Sequence, residues 1–207
     1  MHLHRSFIAL LMLATFSNPI LGEEKSEAAK DKLESPSPDG QFAFRFGKAD
    51  DGETQTYDLV ERKSGKFLAH VCESDPNFGA SGRFLVEVLW RPDSKAFALT
   101  ATLWKRGSEV FVYRRNGATF REIKLPELDA EITDKAMAGK EYPHVNQINS
   151  QSAQRWQKDD ALTVKIESIQ DGNEGTITAS RTVILGFGRS SKAKILKSTL
   201  KFVTEKQ

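Results

Sequence analysis

His70 and Cys72 lie two residues apart in the segment Phe67-Leu68-Ala69-His70-Val71-Cys72. On a strand that spacing points both side chains the same way. An imidazole beside a thiol is the start of a Cys–His nucleophile pair or of a metal site. A zinc site takes three or four ligands, and beyond the first 22 residues the other histidine is His144. The plainer reading, a packed imidazole beside a buried thiol, is the one that the flanking Phe67, Leu68 and Val71 favour. Asp50, Asp51 and Glu53 surround Gly52 without the regular spacing of a calcium loop, so they read as a solvated hairpin tip. Tyr142, His144, Asn146 and Trp156 fall in an amide-rich stretch that also holds Gln147, Asn149, Gln151, Gln154 and Gln157. Aromatic platforms and adaptable amides are the material of a recognition surface; alternatively, Tyr142 and Trp156 pin the stretch to a core. Gly79, Gly82 and Gly188 form no phosphate-cradling pattern, and neither a Gly-x-Ser-x-Gly elbow nor a His-Glu-x-x-His helix occurs. The sequence therefore assigns no catalytic residue, no metal ligand set and no cofactor, and it offers Tyr142, His144, Asn146 and Trp156 as binding residues.

The elements that would position these groups are strands. The chain has 207 residues, 39% apolar and 28% charged, which is a globular composition. It carries 30 basic and 28 acidic side chains, a net charge of +2. That balance gives no electrostatic reason to expect nucleic acid or an anionic membrane as partner. Residues 1–22 have a basic head at Arg5, an apolar run from Phe7 to Phe16 and a turn-forming end at Asn18-Pro19, the pattern of a cleaved export signal. The apolar run is shorter than the ~20 residues a membrane span needs. Residues 23–37 are charged and read as a flexible spacer ending at Pro36 and Pro38. One cysteine, Cys72, leaves no intramolecular disulfide, so a core rich in its 13 phenylalanines must hold the domain.

From Pro38 the apolar period is two. Meanders are predicted over 41–73, 83–124 and 160–204, within a single β domain spanning 38–207. Phe42, Phe44 and Phe46 share a face, as do Phe97, Leu99 and Ala101, and Asn116-Gly117 marks a hairpin turn. Leu196, Leu200 and Phe202 alternate with Lys197, Thr199 and Lys201, a lysine pattern suited to an edge strand. Residues 125–157 break the rhythm. Pro126 with Glu127 and Asp129 predicts a helix to about residue 138, followed by the amide-rich stretch as a long connector, a kind of segment that often carries function. The expected fold is all-β, with antiparallel meanders in a propeller-like or sandwich-like arrangement and one short helix in a long connector.

Ser37-Pro38-Asp39-Gly40-Gln41-Phe42-Ala43-Phe44 resembles the Ser-Pro-Asp-Gly-Lys repeat of bacterial periplasmic β-propellers, as in the propeller of the Tol system. Trp90-Arg91-Pro92-Asp93-Ser94-Lys95-Ala96-Phe97 repeats it with Arg91 and Ser94 substituted, and Trp156-Gln157-Lys158-Asp159-Asp160-Ala161-Leu162 is a third copy without the proline. The resemblance covers about ten residues per copy, and the copies are unevenly spaced against regular blades of 40–50 residues. It implies a strand–turn–strand unit and a role in protein contacts, and it carries over no catalytic residue. The expectation is an exported protein, periplasmic or secreted, acting as a non-catalytic binding module with a protein partner in the cell envelope. A hydrolase with a dispersed site near His70 or His144, or a structural envelope component, are the alternatives.

Overall fold

The computed structural model describes residues 32–74, 84–104, 106–158, 160–188 and 191–206. The expected signal 1–22, and the spacer up to residue 31, lie outside the described residues. The described chain is all-β with one short helix, as its period of two implies. Three four-stranded antiparallel meanders follow one another along the sequence. The first holds β1 (Leu33–Glu34), β2 (Phe42–Lys48), β3 (Gln55–Glu61) and β4 (Phe67–Glu73). The second holds β5 (Val86–Trp90), β6 (Ala96–Trp104), β7 (Gly107–Asn116) and β8 (Thr119–Glu122). The third holds β9 (His144–Gln157), β10 (Ala161–Gly172), β11 (Gly175–Gly186) and β12 (Lys194–Glu205). The last residues of the expected spacer are not free chain, because Leu33 and Glu34 pair with Arg45 and Phe44.

The second sheet is buried on both faces, and its strand pattern shows why. Along β6, Phe97 and Leu99 point to the first sheet, while Ala98 points to the third, and all three are fully buried. The first interface is aromatic. Phe44 stacks on Tyr57 with centroids 5.0 Å apart, Phe97 stacks on Tyr113 at 5.0 Å, and Phe44 meets Phe97 edge-on at 5.1 Å. The second interface is aliphatic, built from Val110 and Val112 against Leu162, Val164, Ile166, Val183 and Leu185. Burying one such side chain fully is worth about 1.5–3 kcal/mol, so these two seams supply what disulfides do not.

The connector differs from its sequence reading. The helix α1 is one turn, Asp134–Met137, capped by the Thr133 side chain. Residues 125–133 are extended instead, because Leu128, Ala130 and Ile132 alternate with exposed Glu127 and Glu131 and lie on the third sheet. That period of two outweighs the Pro-Glu start signal. The amide-rich stretch is not a loop either: His144–Gln157 is β9, paired with β10 along its length. Its amides have a structural task. Asn149 Oδ1 accepts from Ala130 N–H (2.8 Å), and Gln151 accepts from Val110 N–H (3.2 Å) while donating to the Leu128 carbonyl (3.3 Å). They satisfy backbone groups that the extended crossing segment and the edge of β7 would otherwise bury unpaired.

The sequence repeat has a structural counterpart. Gly40, Ser94 and Asp160 occupy the same place in the three copies, and all three sit in the left-handed region, with φ of 70°, 57° and 59°. Trp90 and Trp156 are equivalent. Trp90 Nε1–H donates to the Ser35 carbonyl (2.9 Å), and Trp156 Nε1–H donates to the Leu89 carbonyl (2.9 Å). Ser35 and Leu89 are themselves equivalent, so each tryptophan ties its sheet to the same point of the sheet before it. The third-position residues also reach across. Ser94 Oγ accepts from Asp39 N–H (3.0 Å), and the Asp160 carboxylate accepts from Arg91 and Arg114.

Candidate functional site

The four residues singled out by sequence are not brought together. Tyr142 lies just before β9, His144 and Asn146 at its start and Trp156 near its end, twelve strand positions from His144, or roughly 40 Å at the usual rise. Tyr142 is buried. Trp156 is half-buried, hydrogen-bonded through its indole to Leu89, packed on Phe187 at 5.5 Å, with the Arg91 guanidinium over its ring at 5.9 Å. Both aromatics anchor the strand. His144 and Asn146 remain exposed. Asn146 donates to Asp171, whose carboxylate also accepts from Thr176 Oγ (2.7 Å). The Thr176 and Asn146 hydrogen bonds, with the nearby His144, hold the Asp171 carboxyl below the usual range. Asn146 also lines a polar cleft of about 300 Å³ with Arg106, Ser108 and Ser150.

His70 and Cys72 part company through a β-bulge. Tyr57 pairs with Cys72, but its neighbour Asp58 pairs with His70, which leaves Val71 as the extra residue. The bulge reverses the alternation. Cys72 therefore turns into the aromatic core, where burial, with Asp58 and Glu73 adding to it, pushes the thiol up to about 12. His70 turns to the other face, with Nδ1 3.0 Å from Asp58 Oδ1 and Nε2 3.6 Å from Glu73 Oε2. Asp51 is occupied by its own turn: it accepts from the Glu53 and Thr54 amides, both at 2.9 Å, and from the Thr54 hydroxyl at 2.5 Å.

A larger cleft of about 670 Å³ opens where β8 ends and leaves the edge of β7 to the crossing segment, between Glu109, Phe111, Glu122, Lys124 and Leu128. Burial, reinforced by Glu122, pushes the Glu109 carboxyl above the usual range. At the seam between the second and third sheets, Arg91 and Arg114 converge on Asp160. Arg91 also forks onto Asp93 (2.8 and 2.9 Å), and Arg114 donates to the Gly188 (2.6 Å) and Phe187 (2.9 Å) carbonyls. With every member partnered, this network is a lock between sheets.

The feature that remains unexplained by packing is β12. All twelve of its residues are exposed. It carries Ile195, Leu196, Leu200, Phe202 and Val203, half of the large apolar side chains exposed among the described residues. The register places Leu200 beside Arg181 and Phe202 beside the fully buried Ala179, so the aliphatic face of the third sheet runs on into β12 with nothing described over it. The alternation of Leu196, Leu200 and Phe202 with lysines marked an edge strand in the sequence; that its apolar side stays open was not legible there, because alternation does not say which face finds a cover. The chain matches no protein-family model and none of the curated proteins.

Proposed function

We propose that this chain is an exported, non-catalytic binding module of the periplasm or secreted space, which takes hold of another protein of the cell envelope along the free edge of β12. The observation that carries the reading is β12 itself: twelve exposed residues in one strand, holding a concentration of apolar side chains that a monomer ordinarily buries or scatters. The rest of the molecule reads as a frame for that edge. Three meanders joined in series by equivalent tryptophan contacts hold the third sheet against the second through an aliphatic seam and the Arg91–Asp160–Arg114 lock. The export signal in residues 1–22 and the resemblance to periplasmic propeller repeats support the compartment and the role in protein contacts. His144 and Asn146, at the opposite edge of the same sheet, are the second surface that the reading leaves available.

Site-specific photocrosslinking in the native host tests it. A photoreactive residue at Leu200 or Phe202 should give a discrete adduct, and one at His144 should not. Adducts from His144 and none from Leu200 would move the site to the β9 edge. Absence of adducts from both would remove the binding reading.

A further inference from the structure

An edge strand can be open to a partner only if it is long, regularly paired and unblocked, and each of the other edges fails at least one of these. Among the described residues β1 is two residues long and β5 five. The four residues of β8 are followed directly by the Lys124–Lys192 bridge, which covers the chain beyond them. The pairing of β4 is broken by two irregularities, and β9 lies against β7. β12 has twelve residues and one bulge, at Leu196. In an antiparallel sheet every second residue of such a strand turns its N–H and C=O outward, unpaired.

The two faces of β12 specify what could pair with it. Ser198, Leu200, Phe202 and Thr204 lie on the face that continues the aliphatic core, opposite Val183, Arg181, Ala179 and Ile177. Lys197 and Lys201 lie on the other face with Thr199 and Val203. Lys194, Lys197 and Lys201 have no carboxylate partner among the described residues, and Glu205 is the one acid in the strand. An added strand would set its alternate side chains over Leu200 and Phe202 and the intervening ones beside Lys197 and Lys201. Cross-strand neighbours of opposite charge stabilise a sheet and like charges opposite one another destabilise it. A second copy of β12, with Glu205 as its one acid, sets a carboxylate opposite at most one of the two lysines. Two-fold antiparallel pairing centred on Thr199 sets Lys197 opposite Lys201, and centred on Lys201 it sets that lysine opposite itself; centred on Ser198 it avoids a lysine pair but sets Lys197 opposite Thr199 and Lys201 opposite Ile195, with no carboxylate against either.

We propose that β12 accepts, as an added antiparallel strand, an extended segment of a partner polypeptide in which apolar and acidic residues alternate, the apolar side chains over Leu200 and Phe202 and the carboxylates beside Lys197 and Lys201. The proposal rests on the reading of β12 as the binding edge and adds the chemical class of its occupant. Backbone pairing supplies most of the affinity, and the two faces supply the selectivity.

The test uses the purified protein and labelled ten-residue peptides: one alternating Glu and Val, one alternating Lys and Val, and one with the Glu/Val composition in blocks. The alternating acidic peptide should bind by fluorescence anisotropy and slow amide exchange in β12. Combining Lys197→Gln with Lys201→Gln, at exposed positions that leave the fold and melting temperature unchanged, should weaken it about tenfold, and raising salt from about 50 to about 500 mM should do the same. The blocked and basic peptides should bind at least about tenfold more weakly. Equal binding of the three peptides, or indifference to the lysine substitutions, overturns the proposal. Concentration-dependent dimerisation with protected β12 amides and no peptide binding also overturns it, in favour of a second copy. If Leu200 crosslinks a partner in the host while the acidic peptide fails, the edge stands and the acidic class falls; if both fail, both fall.

Discussion

Gly40, Ser94 and Asp160 share one backbone conformation and differ in what their side chains do, so substitution at these three positions separates backbone strain from contacts between sheets. Gly40→Ala introduces a Cβ at φ 70° and should cost about 1 kcal/mol, the usual penalty for a non-glycine residue in the left-handed region. Ser94→Gly relieves a similar strain, but it loosens the unfolded chain by about 0.4–1 kcal/mol and removes a partly buried hydrogen bond from Asp39 N–H worth about 1 kcal/mol. The net loss should stay below about 1 kcal/mol. Asp160→Gly relieves less strain, since aspartate tolerates this region, and it removes two charge-assisted contacts, each worth about 1.5–3 kcal/mol when well desolvated. The Asp160 side chain is 30% exposed, and both arginines keep other partners. Solvent screening therefore brings the expected loss to about 2 kcal/mol. Urea unfolding followed by tryptophan fluorescence reads all three, with the slope of the transition unchanged. In about 1 M salt the Asp160→Gly loss should shrink and the Ser94→Gly loss should not. Equal losses at Ser94 and Asp160, or a salt-insensitive loss at Asp160, would show that the seam network adds nothing to the turn and that the lock between sheets is misread.

Three further outcomes follow from single sites. Cys72 should label with a thiol reagent only as fast as the protein opens, because burial pushes its thiol up to about 12; Cys72→Ser should cost about 1–3 kcal/mol and leave binding at β12 intact, and rapid labelling of the folded protein would place the thiol outside the core. Gly172→Ala should cost more than about 2 kcal/mol by urea unfolding, since a Cβ there would lie 2.1 Å from the Glu141 carbonyl oxygen, a backbone atom that cannot swing away. Asp39→Ala should lose about 1 kcal/mol at pH 7. Partial burial raises the Asp39 carboxyl, and the Ser37, Gln41 and Ser94 hydrogen bonds more than offset it, so the folded value lies below 3.8. That stabilisation is present above 3.8 and fades as pH falls through the lower folded value, so the gap between variant and parent should narrow in that window and nowhere else.

The meanders were legible because β6, β10 and β11 alternate cleanly, with turn residues between them. The failures have local causes. Asn116 was expected to share the turn with Gly117, but Asn116 pairs with Thr119, and only Gly117 of the pair takes a positive φ, the pattern of a two-residue turn with glycine first. At 126–133 the helix-start signal of Pro126 and Glu127 masked the period of two in Leu128, Ala130 and Ile132. The amides of β9 looked functional because their partners, the Ala130 N–H, the Leu128 carbonyl and the Val110 N–H, lie 19 to 41 residues away, beyond any local pattern. For His70 and Cys72 one bulge residue, Val71, reversed a correct inference about spacing.

The tryptophan positions explain the order of the three described sheets. The first copy of the repeat has Pro36 where the other two have Trp90 and Trp156. A tryptophan there would have no preceding described sheet to donate to, whereas Trp90 and Trp156 each find one at Ser35 and Leu89. At the other end, the face of the third sheet turned away from the second carries Lys165, Glu167, Thr178, Ser180, Thr182, Lys197, Thr199 and Lys201, with Ile169, Ile184 and Val203 among them. That is a mostly polar face, of the kind a terminal repeat turns to water. A fourth sheet stacked on that face would bury Lys165, Glu167, Lys197 and Lys201 against three apolar side chains, Ile169, Ile184 and Val203. Growth of the sheet sideways, strand by strand along β12, meets no such penalty, because Leu200 and Phe202 already lie at that edge with their outer sides open. The third meander thus disfavours another sheet on that face and leaves its edge open to another strand.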